Sequence, residues 1–221
     1  HVCHEFLTAK AGLHGHHQDH IALFQVRNGG FHGGLGLQND TGLAAQASIT
    51  RAEFAAIAAR FEVNGNTSDA SFRDMCAANA CGNYGRNWMC PPDAGEIHEL
   101  MARLRTYSFM LVYQTVTELE DSYDFEGMMD AALSHNKLMI RLRDALNTEG
   151  LSRVLHLGAG GCRMCEVCAK RTNEPCRHPD LAVASLETYG INVSKLAVAA
   201  GMKYVNGQDT VTYFGAVLFD F

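Results

Sequence analysis

Cys162, Cys165, Cys168 and Cys176 are spaced C-x2-C-x2-C-x7-C. Three thiolates at this spacing can converge on one inorganic core, and a fourth arrives after a short loop. The run is close to the C-x2-C-x2-C-x3-C-P pattern of ferredoxins, with a longer last gap. Soft thiolates suit iron and sulfide, so a [4Fe-4S] cluster is the first reading. Zinc, which favours two separated cysteine pairs over a triple run, is the alternative. Gly158, Gly160 and Gly161 precede the group and let the backbone approach a cluster without a Cβ in the way. Arg163, Lys170, Arg171 and Arg177 surround it, and nearby cations favour a reduced cluster.

Cys76, Cys81 and Cys90 form a second group, C-x4-C-x8-C, closed by Cys90-Pro91-Pro92. It reads as a second cluster site, with Tyr84 and Trp88 available to shield it from water. Buried structural thiols, or a zinc site completed by a histidine, are the plainer readings. Two four-iron clusters need eight ligands, and the groups supply seven. Three arrangements remain open. The second cluster has three thiolates and an open or non-cysteine corner, or the last ligand of each run crosses to the other cluster, or one cluster is held with thiols to spare. An open iron could act as a Lewis acid on a small substrate. The eighth cysteine, Cys3, lies in a stretch with no pattern and is not assigned.

Other signals are weaker. Gly158-x-Gly160 begins like a dinucleotide loop, but Arg163 stands where the third glycine belongs. Neither C-x3-C-x2-C nor C-x-x-C-H occurs. His156 and His178 flank the four-cysteine group as second-layer donors, proton carriers or packed side chains. His14, His16, His17 and His20 could grip a divalent metal or form a solvated lead-in.

With 47% hydrophobic and 19% charged residues, the chain has the composition of a globule able to bury a core. A net charge of -6 leaves no basic field for nucleic acid. No apolar run approaches the roughly 18 residues of a membrane span. The chain begins at His1 with no secretory pattern. A cytoplasmic location is therefore expected, where closely spaced cysteines act as ligands rather than disulfides.

The elements that must position these residues are legible in part. Residues 1–45 hold seven of the eleven histidines and show no clear period; they read as an irregular segment ahead of one domain, 46–221. Helices are predicted over 50–61 (apolar face Phe54, Ile57, Ala58 and Phe61, with Thr50 as cap), 96–105, 124–147, 180–189 and 193–200. The inner face of the long helix reads as Phe125, Met128, Met129, Leu133, Leu138, Ile140, Leu142 and Leu146, capped by Asp121 or Asp124. Strands are predicted over 108–116, 153–157, 203–205 and 210–218, the last two turning at Asn206-Gly207. The class is α/β or α+β, a central mixed sheet flanked by helices, with the cysteines in loops.

Several stretches are similar to one known family: RDMCAANACGNYGRNWMCPP (Arg73 to Pro92), GAGGCRMCEVCA (Gly158 to Ala169), EPCRHP (Glu174 to Pro179), SLETYGINV (Ser185 to Val193) and TYFGAVL (Thr212 to Leu218). From about residue 67 onward the chain resembles the predicted metal-binding proteins of domain of unknown function 2284. That resemblance implies cysteine-bound metal of the iron–sulfur type, found mostly in anaerobic prokaryotes, and no known reaction. The leading expectation is a carrier of one or two [4Fe-4S] clusters that exchanges electrons with a redox protein. The alternatives are an enzyme with an open iron and a structural zinc module.

Overall fold

The computed structural model describes residues 17–26, 59–61, 69–147, 151 and 153–220. Strands β1 (His17–Val26), β2 (Ala59–Phe61), β3 (Phe109–Glu118), β4 (Arg153–Gly158), β5 (Ala184–Ser185) and β6 (Thr210–Asp220) form one sheet, ordered β2-β1-β3-β6-β4-β5. The β1–β2 and β4–β5 pairs are parallel. Those of β3 with β1 and β6, and of β6 with β4, are antiparallel. Four α-helices lie among the described residues: α1 (Phe72–Ala77), α2 (Ile97–Leu104), α3 (Phe125–Asn147) and α4 (Val193–Ala199). This is an α/β fold built on a mixed sheet.

The two central strands run in register from Phe109 opposite Phe219 to Glu118 opposite Thr210. Alternation sends their side chains to opposite faces, and helices cover both. On one face Met110, Val112 and Leu218 pack with Leu104 of α2 and Leu196 of α4. On the other, Leu111, Tyr113 and Val217 pack with Met139, Leu142 and Leu146 of α3. Strands buried on both faces read as continuous apolar runs, which is why β3 and β6 are visible in sequence. The expected cap at Asp124 holds, and the structure adds one at Asn192. Asp124 Oδ1 accepts the Gly127 amide at 2.8 Å at the start of α3, and Asn192 Oδ1 accepts the Lys195 amide at 3.1 Å at the start of α4.

The structure departs from the sequence reading in several places, among them the unpredicted helix α1. A ten-residue strand, β1, lies where no strand period was legible, and nine of its residues pair with β3. Ala59–Phe61 is strand rather than helix end, pairing with Phe24–Val26, while 50–58 fall outside the described residues. Residues 180–189 are not a helix: Ala184–Ser185 pairs with Leu157–Gly158, and a 3-10 turn, Glu187–Tyr189, follows. Residues 203–205 are not a strand: β6, their expected hairpin partner, is already flanked by β3 on one edge and β4 on the other. Finally, Phe125, Met129 and Leu133 of α3 are exposed. The helix turns Ala131, Ala132, His135 and Met139 inward instead, the two alanines allowing close approach.

Two core positions give measurable consequences. A Cβ at Gly215 would collide with the Tyr113 ring, which is fully buried and cannot swing away. Gly215→Ala is expected to cost about 1–3 kcal/mol, read as a lower urea midpoint; an unchanged midpoint contradicts this packing.

His135 stacks on Tyr113 at 5.2 Å, with Nδ1 3.0 Å from Thr115 Oγ1. Burial pushes its pKa down to about 4. His156 is also pushed down to about 4, by burial first and then by Arg143. The unfolded chain takes up both protons near pH 6.5, whereas the folded chain resists until about pH 4, so acid favours unfolding across that window. The urea midpoint should fall between about pH 7 and pH 5, and His135→Gln should flatten the fall. A midpoint flat over this range in the parent protein contradicts the burial of neutral imidazoles.

Candidate metal centre

Cys76 rides near the end of α1 rather than in a loop. The chain leaves that helix through Asn79 in the left-handed region (φ 55°), and Asn79 Oδ1 accepts the Tyr84 amide at 3.0 Å. The Gly85 amide then donates to the Pro91 carbonyl at 2.9 Å, folding the segment back so that Cys90 returns beneath it. Cys90 is buried, Cys76 half-buried and Cys81 exposed.

The second group starts as β4 ends. Cys162, Cys165 and Cys168 follow the glycine stretch, and a 3-10 turn, Ala169–Thr172, reverses the chain. Asn173 (φ 56°) completes the reversal, with the Glu174 amide on the Ala169 carbonyl at 3.0 Å, and Cys176 comes back to the first three. All four are half-buried. Together they line one cavity, with Asn87, Trp88, Met89, Met164 and Ala182 completing its wall.

Three of those wall residues belong to the first cysteine segment, so the two loops interlock. Asn87, only 4% exposed, donates through Nδ2 to the Cys162 carbonyl at 3.1 Å and accepts the Met89 amide at 3.0 Å. Trp88 donates from its indole to the Glu174 carbonyl at 2.9 Å. Lys170 lies 4.3 Å from the Trp88 ring centre and pairs with Asp93 at 2.6 Å. At Gly161 the backbone comes so close to Asn83 that a Cβ would sit 3.1 Å from its amide nitrogen. Only a residue without a side chain makes that approach easy.

The electrostatics follow the same map. Burial pushes the Cys90 thiol up to about 12, and the other thiolates that add to the push are Cys81, Cys76, Cys162 and Cys168. Both groups therefore press on one buried sulfur. Cys76 is raised by burial, lowered by Arg73, then raised by Cys81 and Glu187. Negative charge crowded into a buried space calls for a cation, and a bound metal inverts the penalty by taking the thiolate as ligand. The seven cysteines are free thiols. As a donor set they fit a thiophilic metal or iron–sulfur core. Among the described residues, no three His, Cys, Asp or Glu side chains close on a single ion.

Other expected residues are placed differently. Trp88 lines the four-cysteine cavity, and Tyr84 does not. His156 is packed near Arg143, while His178 is exposed. Of the four cations around the group, Lys170 is held by Asp93 and Arg177 lies 3.7 Å from Glu174. Arg163 reaches Met129 Sδ at 3.8 Å. Cys3, His14 and His16 lie outside the described residues, as do the side chains of His17 and His20. Asn87 and the Asp93–Lys170 pair escaped the sequence reading, since nothing in spacing marks a polar residue as a brace between distant loops.

A sheet whose loops bring cysteines around one cavity defines an α/β protein with a cysteine-lined site. The chain belongs to the family described as Predicted metal-binding protein (DUF2284), which it matches over residues 63–219. No curated protein and no solved structure matches it. Among the described residues no helix is long and apolar enough to cross a membrane.

Trp88 is the chain's single tryptophan. Its place in the cavity wall makes its fluorescence a local probe. Anaerobic addition of iron and sulfide to the metal-free protein is expected to quench that emission severalfold. Metal uptake with unchanged emission contradicts the placement.

Proposed function

We propose that this chain is an iron–sulfur protein that holds one or two [4Fe-4S] clusters and exchanges electrons with a redox protein. The observation that carries the reading is the cavity lined by Cys162, Cys165, Cys168 and Cys176. Their triple C-x2-C spacing favours a cluster over a zinc ion. Cys76, Cys81 and Cys90 hold the second site. When bound, such a cluster takes up and returns single electrons.

The chain's own residues set the surroundings. Trp88, Met89, Met164 and Ala182 present an apolar wall that limits water at the sulfurs. Asn87 fixes the first turn of the four-cysteine loop through the Cys162 carbonyl. Asp93 offsets the charge of Lys170, which leaves Arg163 and Arg171 as the exposed cations of that loop without a carboxylate partner among the described residues. The free thiols of the described cysteines accord with a reducing, cytoplasmic setting.

Anaerobic quantitation of iron, sulfide and zinc tests the reading. Iron and sulfide in equal amounts, with absorbance near about 400 nm that dithionite bleaches, are expected. Zinc without iron overturns it. Cys165→Ser should lose the iron of its cluster and loosen the loop around it, because binding and folding are coupled. Parent-level iron in that variant contradicts the ligand assignment.

A further inference from the structure

Along α3, Phe125, Met129 and Leu133 stand 72%, 53% and 48% exposed. Their spacing of four residues sets them on one face of the helix. A continuous exposed apolar patch marks a surface that meets another molecule. The stripe borders the four-cysteine loop, because Arg163 Nη1 lies 3.8 Å from Met129 Sδ. The charges beside it say what covers it. From Glu118 to Asp130 the chain has six acidic residues and no Lys or Arg. From Ala131 to Arg143 it has three Lys or Arg and no acidic residue. Glu126, Asp130 and Lys137 are exposed along one flank of the stripe, and Arg141 follows one turn on. A second α3 laid parallel would set like charges together. Laid antiparallel, it sets the acidic half of each helix against the basic half of the other. One register satisfies both ends. About a centre between Leu133 and Ser134, Asp130 stands as far on one side as Lys137 on the other, and Glu126 as far as Arg141.

We propose that α3 is a self-association surface: two copies of this chain pack their α3 helices antiparallel about a two-fold axis beside Leu133. Such an interface is isologous, so each complementary pair occurs twice. The apolar stripes of both copies leave water, and Asp130 of each copy meets Lys137 of the other. The four-cysteine loop of each copy flanks the seam through Arg163. The pairing is independent of which metal those loops hold.

Sedimentation of the anaerobically purified protein over a range of concentrations tests this. The parent should run at twice the chain mass of 24.1 kDa. Leu133→Asp sets two carboxylates together at the axis, on an exposed position, and should raise the dissociation constant about tenfold or more. Asp130→Lys and Lys137→Asp each oppose like charges twice and should have the same effect. Mixed with one another, these two charge variants become complementary at both contacts, and the mixture should recover a dimer of one copy of each. The double variant Asp130→Lys/Lys137→Asp should recover it alone. A parent that stays monomeric at about 100 µM overturns the proposal and hands the stripe to a different partner. A dimer that both charge variants leave intact overturns it too, as does one that mixing fails to restore. Should Leu133→Asp misfold, as read by circular dichroism, the mixing experiment still decides.

Discussion

The bond from the Asn87 amide to the Cys162 carbonyl ties the two cysteine segments together, although 75 residues separate them in the chain. Much of the site hangs on that junction. It holds the first turn of the four-cysteine loop against the first segment, and it brings Trp88 and Met89 into the cavity wall. Glycine at 161 lets the backbones approach, and the Lys170–Asp93 pair and the Trp88–Glu174 bond close the far side. Interlocked loops explain why Cys90 feels thiolates of both groups.

The sheet serves as the platform for this junction. β4 delivers the glycine stretch to the cavity, and β5 pairs beside it, so that the turn bearing Glu187 is fixed relative to the loop bearing Cys162. Leu186 donates its amide to the Gly158 carbonyl at 3.1 Å, extending that bracing one residue further. Buried on both faces, β3 and β6 give the platform its rigidity. Helices α2 and α4 anchor one side and α3 the other. A donor set on loops is only as well defined as the elements on which those loops end.

Much of this was legible because the signals are strong and local. The cysteine spacing stands out in any reading. The apolar runs of β3 and β6, the long α3 and its cap at Asp124 are set by short-range chemistry. What was not legible depends on partners distant in sequence. Residues 180–189 carry helix-compatible spacing, yet pairing of Ala184 with Leu157 overrides it. Leu142 and Leu146 face inward as read, but the first half of α3 turns two small alanines and a buried histidine inward instead of Phe125, Met129 and Leu133. β1, rich in histidine, becomes a strand by pairing with β3. Asn87 has nothing in its immediate sequence to mark it; only the folded chain brings it to the cysteines.

X-ray absorption at the iron edge of the anaerobically purified protein tests the central claim most directly. The account predicts iron in a shell of sulfur, with a second shell of neighbouring iron atoms that Cys162→Ser diminishes. Absorption at the zinc edge alone, or iron surrounded by nitrogen and oxygen with no iron neighbour, would contradict it.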